Sequence, residues 1–449
     1  MPLENNIALE NLSPIEDTSA EPGIAKAIKA ALDARSITTK IVETPSSKAR
    51  TIILTEGLSS ADPTERHWAA LRQARTVRES AASIIFLQAR TAQSYADISG
   101  LTGLSRTLRK EWSDGAYVTW TLTGTQPDAL AEQVCACLSH FPGDALITDT
   151  AYQATQTGNL LASPAIKQAT SPQVWLITGG ARGVTASCAI ELAQRCGGTF
   201  LLAGRSSQAP WPAGIPLTDD LNTLRGALAR QAKIESTKTT PAEINTQARR
   251  ALAGQEITST ITAIEAAGGR VEYLQLDVAD DVAVKTVIGD IQTVHGVITG
   301  LVHGAGVLAD RLVIDKTRTD MGKVFDAKVT GLLNLLEHLD LAQLSYIGLF
   351  SSASAVFGNI GQSNYAMANQ ILNRVAVSLA GNYPRTQVKS FNWGPWDGGM
   401  VDAGLAAHFA AQGIGLIDRA EGAHIFADQL LHGERSQIEL LVGDQWTDT

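Results

Sequence analysis

Short apolar runs alternate with amphipathic stretches along nearly the whole chain, and the alternation comes in two series. In the first, TIILTEG (51–57), SIIFLQA (83–89) and AYVTWTLTG (116–124) read as buried strands. Residues 24–43 predict an amphipathic helix and then a short strand. Residues 65–79, LTGLSRTLRKEW (101–112) and 127–140 predict helices, and DALITDTAYQA (144–154) closes the series. Strands alternating with helices indicate a parallel α/β sheet. No glycine-rich loop follows these strands; TEG at 55–57 lacks the later glycine a phosphate turn requires. Residues 24–170 therefore read as a structural subdomain without a nucleotide site. Residues 1–23 are acidic and polar and read as a leader or linker, neither a signal nor a transit peptide.

After the polar stretch SPAIKQATSPQ (163–173) a second series begins, spanning 171–449, and it carries a phosphate turn. VWLIT (174–178) is a strand, GGARGVT (179–185) the turn, and ASCAIELAQRC (186–196) a helix. Thr178, Gly179, Gly180, Arg182, Gly183 and Val184 are its candidate contacts. Glycine allows the tight turn and lets a pyrophosphate approach the backbone at a helix N-terminus. The next strand, TFLLAGRSS (199–207), ends in Arg205 and Ser206 where an acid would hold the ribose 2′-hydroxyl of NAD. A guanidinium and hydroxyls suit a 2′-phosphate, so the expected cofactor is NADPH. A surface arginine is the plain alternative.

Residues 207–262 interrupt the alternation and predict an appended helical hairpin, too long for an ordinary connection. RVEYLQLDVAD (270–280) then ends in Asp277 and Val278, placed to meet the adenine. ITGLVHGAGVLAD (298–310) exits through His303, Gly304, Ala305 and Gly306, where glycines allow close approach to a cofactor. A helix over 316–339 carries Lys328. VKSFNWGPWDGGM (388–400) exits into Gly394, Pro395 and Trp396, a rigid loop able to cover a nicotinamide.

Between them lies LFSSASAVFGNIGQSNYAMANQIL (349–372), a strand ending at Ser351 and Ser352, a glycine-containing loop, and a helix with Tyr365 and Asn369 on one face. A serine hydroxyl, a phenol and an amide aimed at one point can hold a carbonyl oxygen and protonate it. Taken alone, the same residues would equally satisfy one another in a core. A free phenol titrates near pH 10, and a nearby ammonium, with Lys328 the candidate, lowers that value. His303 reads as a packed structural histidine rather than an acid or base, and Asp310 as either a site or a surface acid.

Composition narrows the classes. The chain has 449 residues, 44% hydrophobic and 18% charged, which points to a globular protein of two or three domains. A net charge of −9 without a basic patch argues against nucleic acid. No apolar run reaches the roughly 20 residues that span a bilayer, so no membrane role is expected. Cys135, Cys137, Cys188 and Cys196 form neither a disulfide framework nor a metal site. They read as inert core residues of a cytoplasmic protein, and no metal is expected.

Together these motifs resemble the ketoreductase domains of polyketide synthases and, more closely, of polyunsaturated fatty-acid synthases, within the short-chain dehydrogenase/reductase superfamily. The resemblance runs over nearly the whole chain after the leader. GLTGLSRTLRKEW (100–112) matches their structural subdomain. TGGARG (178–183), Arg205, Asp277–Val278, HGAG (303–306) and NWGPW (392–396) match their cofactor motifs, and 351–369 their catalytic element. Simple superfamily members place the lysine four residues after the tyrosine. Here that position is Asn369 and the lysine is Lys328, the exchange seen in synthase ketoreductases.

The resemblance implies an α/β fold of two Rossmann-like, doubly wound parallel sheets, with NADPH bound in the second only. It implies reduction of a 3-ketoacyl chain held by phosphopantetheine on an acyl carrier protein, with other synthase domains as partners. Lys328, Ser352, Tyr365 and Asn369 are then catalytic. Thr185 replaces the last loop glycine of many polyketide enzymes, as in the fatty-acid type, which the 207–262 insertion also resembles. A Leu-Asp-Asp fingerprint of one alcohol stereochemistry reads Leu308-Ala309-Asp310, and the tryptophan of the opposite one is Phe357. The product expected is the 3R alcohol. Two rivals remain: a ketoreductase-like scaffold without activity, and a nucleotide-sugar dehydratase or epimerase. The latter usually needs an acid where Arg205 stands.

Overall fold

The computed structural model describes residues 7–10, 22–36, 39–42, 51–59, 61–79, 83–89, 94–112, 114–124, 126–140, 143–148, 152–154, 173–398, 403–411 and 413–443. Within them the chain forms two mainly parallel sheets of seven strands each. The first series runs β1 (Ile7–Glu10), α1 (Pro22–Asp33), β2 (Thr39–Val42), β3 (Thr51–Gly57), α2 (Pro63–Val77) and β4 (Ser83–Ala89). It continues through α3 (Leu101–Glu111), β5 (Ala116–Thr123), α4 (Pro127–His140), β6 (Ala145–Thr148) and β7 (Tyr152–Ala154). The strand order is β2-β1-β3-β4-β5-β6-β7, antiparallel only at the last pair. Strands β3 and β4 are apolar on both faces because helices cover both, as parallel sheets require.

The leader expected over residues 1–23 needs correction. Ile7–Glu10 is a strand inserted between β2 and β3, with Ile7 opposite Thr39 on one side and Thr51 on the other. Its four residues are too few to show a period, which hid them in the sequence. The polar stretch 163–172 lies outside the described residues.

The second series comprises β8 (Val174–Thr178), α5 (Gly183–Cys196), β9 (Thr199–Gly204), α6 (Leu221–Ile234), α7 (Pro241–Ala266), β10 (Arg270–Gln275), α8 (Asp281–His295) and β11 (Gly300–His303). Then come α9 (Arg318–Phe325), a π-helical turn (Asp326–Thr330), α10 (Gly331–His338), β12 (Tyr346–Ser352), α11 (Ala353–Phe357) and α12 (Ser363–Asn382). The series ends with β13 (Gln387–Trp393), α13 (Ala403–Ala411), α14 (Arg419–His432) and β14 (Glu439–Val442). The order β10-β9-β8-β11-β12-β13-β14 reverses direction between β8 and β11. That switch point opens a crevice at the carboxyl ends of the strands, where such sheets bind ligands.

The expected appended hairpin is only partly an appendage. Asp220 caps α6, and a Thr240/Glu243 capping box with Pro241 in the first turn starts α7. Over 26 residues, however, α7 becomes the β9–β10 crossover, burying Ile257 and Ile264 with Trp175 and Phe200 of the sheet. Local propensity announces the helices but not that the second one serves two layers.

One hydrophobic core runs through both halves, joining Leu104 and Leu108 of α3 to Ile371 and Val375 of α12. The two helices approach so closely that a Cβ on Gly103 would stand 2.5 Å from Ala366, and one on Gly100 2.1 Å from the Met367 carbonyl oxygen. Helix α12 carries Tyr365 and Asn369, so the half without a phosphate turn sets where those side chains sit. Gly103→Val should force α12 outward and destabilise the protein by about 1–3 kcal/mol, read as a lower urea midpoint. Gly226→Ala, whose new methyl would meet nothing nearer than 3.5 Å, should leave that midpoint unchanged or slightly higher.

Candidate active site

At the switch point the turn after β8 and the exit of β11 lie backbone to backbone. Gly179 takes φ +71°, and a Cβ there would also stand 2.9 Å from the carbonyl carbon of Gly304. Both reasons demand glycine. Gly180 has a different one: its Cβ would strike Ile177 at 2.4 Å, so it serves packing beneath the turn. Arg182 is the N-cap of α5, and Gly183 opens the helix at φ +59°. The amides of that first turn and the helix dipole make an anion cradle.

Two cavities flank this cradle and meet at Gly179, Arg182, Ala305 and Gly306. The smaller, about 210 Å³, is lined by Arg205, Ser206, Asp277, Val278 and Tyr273. The larger, about 580 Å³, is lined by Val184, Lys328, Ser352, Tyr365 and the Gly394–Pro395–Trp396 loop. Two chambers joined across an anion cradle fit a dinucleotide, with a pyrophosphate between two nucleoside ends. Gly306 completes the fit, since a Cβ there would press on Lys328 Cε at 3.0 Å.

Thr178, His303 and Asn369 were expected at the site, and all three are buried behind its wall. His303 Nε2 faces the Lys328 carbonyl oxygen at 3.0 Å, and its Nδ1 faces Thr178 Oγ1 at 2.9 Å. A carbonyl only accepts, so Nε2 carries the proton and Nδ1 accepts from the threonine. Burial, with the nearby Lys328 charge, lowers the His303 pKa to about 3 and keeps the ring neutral.

Lys328 was expected inside one continuous helix, yet it sits in the π-helical turn between α9 and α10. Widening the ladder there re-aims the local carbonyls, and the Lys328 carbonyl turns to His303. Its ammonium nitrogen donates to Phe350 O at 2.8 Å and lies 5.3 Å from the centroid of the Tyr365 ring. Burial lowers the Lys328 pKa to about 7. The Tyr365 hydroxyl is pushed up to about 12, chiefly by burial, with Asn369 acting downward. The expected lowering of the phenol by a lysine charge is thus not what the pocket produces. Desolvation dominates both groups, leaving a fully protonated phenol beside an amine near its titration point.

Ser352 Oγ caps α11, accepting from Ser354 N at 3.2 Å and Ser354 Oγ at 3.0 Å. Those two bonds use its acceptor capacity and leave its own proton for a ligand. Asn369 Nδ2 donates to Tyr365 O at 2.9 Å, while its buried Oδ1 has no hydrogen-bond partner among the described residues.

Several supporting residues escaped the sequence reading. Ser351 Oγ lies 3.1 Å from Asn369 O and 3.0 Å from Asn392 Oδ1 and shares its one proton between them, linking α12 to β13. Buried Lys316 donates to Ala309 O, Gly361 O and Asn364 Oδ1. Glu111 of α3 accepts from Val313 N at 2.7 Å and Gly361 N at 2.9 Å, gripping two loops with one carboxylate. No local motif marks them, because most of their partners lie far away in sequence. The fingerprint residues divide: Leu308 lines the larger cavity, and the Asp310 carboxylate accepts from Gln362 Nε2 at 2.8 Å. Cys135 and Cys137 are buried on α4, where burial raises their thiols to about 11 and about 12. No described helix is long and apolar enough to cross a membrane.

This geometry defines a dinucleotide-binding α/β protein with a serine–tyrosine–lysine site, and comparison with known proteins narrows the class. The family model described as KR domain matches residues 173–398, and the chain belongs to that family, the ketoreductase domains of polyketide and polyunsaturated fatty-acid synthases. It is 34% identical over 383 residues to a polyunsaturated fatty acid synthase polypeptide of Thraustochytrium sp., covering 80% of this chain and 13% of that one. It is 30% identical over 281 residues to the Bacillus subtilis polyketide synthase PksN, covering 60% of this chain and 4% of the other. The chain therefore spans only a small part of these relatives. An A-type ketoreductase structure from a modular polyketide synthase superposes with a TM-score of 0.74 at 19% identity, over 98% of this chain and 89% of that one.

Burial of Lys328 makes a pH-dependent prediction. Its pKa is about 7 when folded and starts from 10.5. Between those values the unfolded chain binds the proton and the folded one does not, so stability rises with pH across that window. The penalty is complete below pH 7. Lys328→Met should flatten this rise. In urea titrations, the wild type should gain on the variant by about 1–4 kcal/mol from pH 7 to pH 10.

Proposed function

We propose that this domain reduces a 3-ketoacyl thioester, carried by an acyl carrier protein, to the 3-hydroxyacyl thioester with NADPH. The observation that carries the reading is the larger cavity itself. It brings Ser352, Tyr365 and Lys328 to a chamber continuous with the anion cradle at the head of α5. NADPH, when bound, supplies the hydride that reaches the β-carbon.

The protein's own residues handle the oxygen. Ser352, its lone pairs already engaged, donates its proton to the substrate carbonyl and fixes that oxygen beside Tyr365. Tyr365, protonated at neutral pH, gives its proton to the oxygen as negative charge develops there. Lys328, near its titration point, neutralises the resulting phenolate and returns a proton to it. Asn369 holds the Tyr365 backbone and presents its unpartnered Oδ1 to the relay. Arg205 and Ser206 receive the 2′-phosphate, the amides around Gly179 and Gly183 the pyrophosphate, and Asp277 and Val278 the adenosine. The Gly394–Trp396 loop closes over the nicotinamide end.

The remaining fingerprint residues favour a 3R product. Kinship with multidomain synthases supports an acyl carrier protein and neighbouring synthase domains as partners in the cytoplasm.

Tyr365→Phe should cut turnover of an acetoacetyl thioester by about 100-fold or more, while fluorescence titration finds NADPH affinity nearly unchanged. Wild-type turnover by this variant would refute the assignment. Affinity for NADPH with no turnover on any carrier-bound ketoacyl chain would favour an inactive scaffold. Arg205→Ala should weaken NADPH about tenfold or more and leave NADH unaffected, measured as the ratio of their dissociation constants.

A further inference from the structure

Helix α7 does more than cover the sheet, because one side of it is wired to both walls of the smaller cavity. Thr260 Oγ1 donates to Ala181 O at 2.9 Å, inside the phosphate turn. The Glu256 carboxylate pairs with Arg182 of the same turn. Gly254 packs on the loop after β9, where a Cβ would stand 2.1 Å from Ala209 O. Arg250 Nε donates to Ser207 Oγ of that loop at 2.8 Å. From the opposite side the Tyr273 hydroxyl holds the carbonyls of Gly204 and Ser206. The loop carrying Arg205 is thus fixed between α7 and β10.

Within this frame the Arg182–Glu256 pair stands out. Arg182 also reaches Ser206, its NH1 lying 3.3 Å from the hydroxyl, so its guanidinium faces the end of β9. The two side chains are 45% and 48% exposed, and ion pairs so exposed are weak and readily exchanged. A phosphate monoester offers up to two charges and three acceptor oxygens, and arginine binds it in a charge-assisted fork.

Resting on the NADPH reading, we propose that Glu256 is an internal competitor for the cofactor's 2′-phosphate. It holds Arg182 until that phosphate takes the guanidinium from it, and so lets the inserted helix set the preference for NADPH over NADH. NADH presents a neutral ribose hydroxyl there in place of the phosphate, too weak an acceptor to take the guanidinium from a carboxylate. The carboxylate therefore acts against one cofactor alone.

The test is equilibrium binding of NADPH and NADH to the wild type and to Glu256→Gln, at low and at high ionic strength. Glu256→Gln should bind NADPH about two- to fivefold more tightly at low salt. Its NADH affinity should not move, and the gain should shrink as salt screens the exposed charges. Equal gains for both cofactors would place Arg182 on the shared pyrophosphate and overturn the proposal. So would an unchanged NADPH affinity. A weaker one would make Glu256 an orienting partner instead, and overturn it too. A wild type that binds neither cofactor would defeat the reductase reading with it, whereas a wild type that binds NADPH with an unmoved variant defeats this proposal alone.

Discussion

Burying the Lys328 amine is the constraint from which the site's arrangement follows. An ammonium removed from water is unfavourable by several kcal/mol unless partners meet it, and here the partners are Phe350 O and the face of the Tyr365 ring. Delivering the amine there takes a π-helical turn, and that turn frees a carbonyl which His303 then occupies. His303 is in turn held by Thr178, at the mouth of the phosphate turn. A single hydrogen-bonded line thus connects the end of β8, the end of β11 and the π turn, while the amine itself reaches the end of β12. The larger cavity and the anion cradle are ordered by the same buried groups.

The division between the two sheets is one of labour rather than independence. The first sheet has no phosphate turn, yet its helix α3 presses on α12 through two glycines and reaches the loops around Val313 and Gly361 with Glu111. Arg106 and Arg374 add bonds across the same boundary, to Ala355 O and to Ser99 O. Glu111 and Lys316 approach the loops from different sides and share Gly361, whose amide goes to one and whose carbonyl goes to the other. These polar groups are buried or half-buried, and each loop amide they satisfy would otherwise be unpaired.

Much of this is legible in the sequence wherever chemistry and backbone act locally. The alternating apolar runs predict both parallel sheets. TGGARG announces a turn that only glycine can make, and the spacing of Ser352, Tyr365 and Asn369 announces a shared element. What stays hidden acts at a distance or against local propensity. Ile7–Glu10 is too short to carry a period. The π turn leaves no signature in a stretch that reads as ordinary helix. The grip of Glu111 spans some two hundred residues, and the wiring of α7 depends on how far the helix runs past its hairpin. The phenol differs from its expectation for another reason. Lys328 does stand beside Tyr365, but the weight of desolvation depends on a burial that sequence does not report.

The two-pronged carboxylate of Glu111 also bears on how such chains can be recombined. A chimera that joins the first half of one relative to the second half of another looks harmless on paper, since the junction would fall between sheets. Yet the donor half would bring its own α3 to loops shaped by a different one, and both prongs must land on amides whose spacing the other half decides. The unit of exchange is therefore the pair of halves together, and the boundary that looks most natural for cutting is the one across which the loops around Val313 and Gly361 are held.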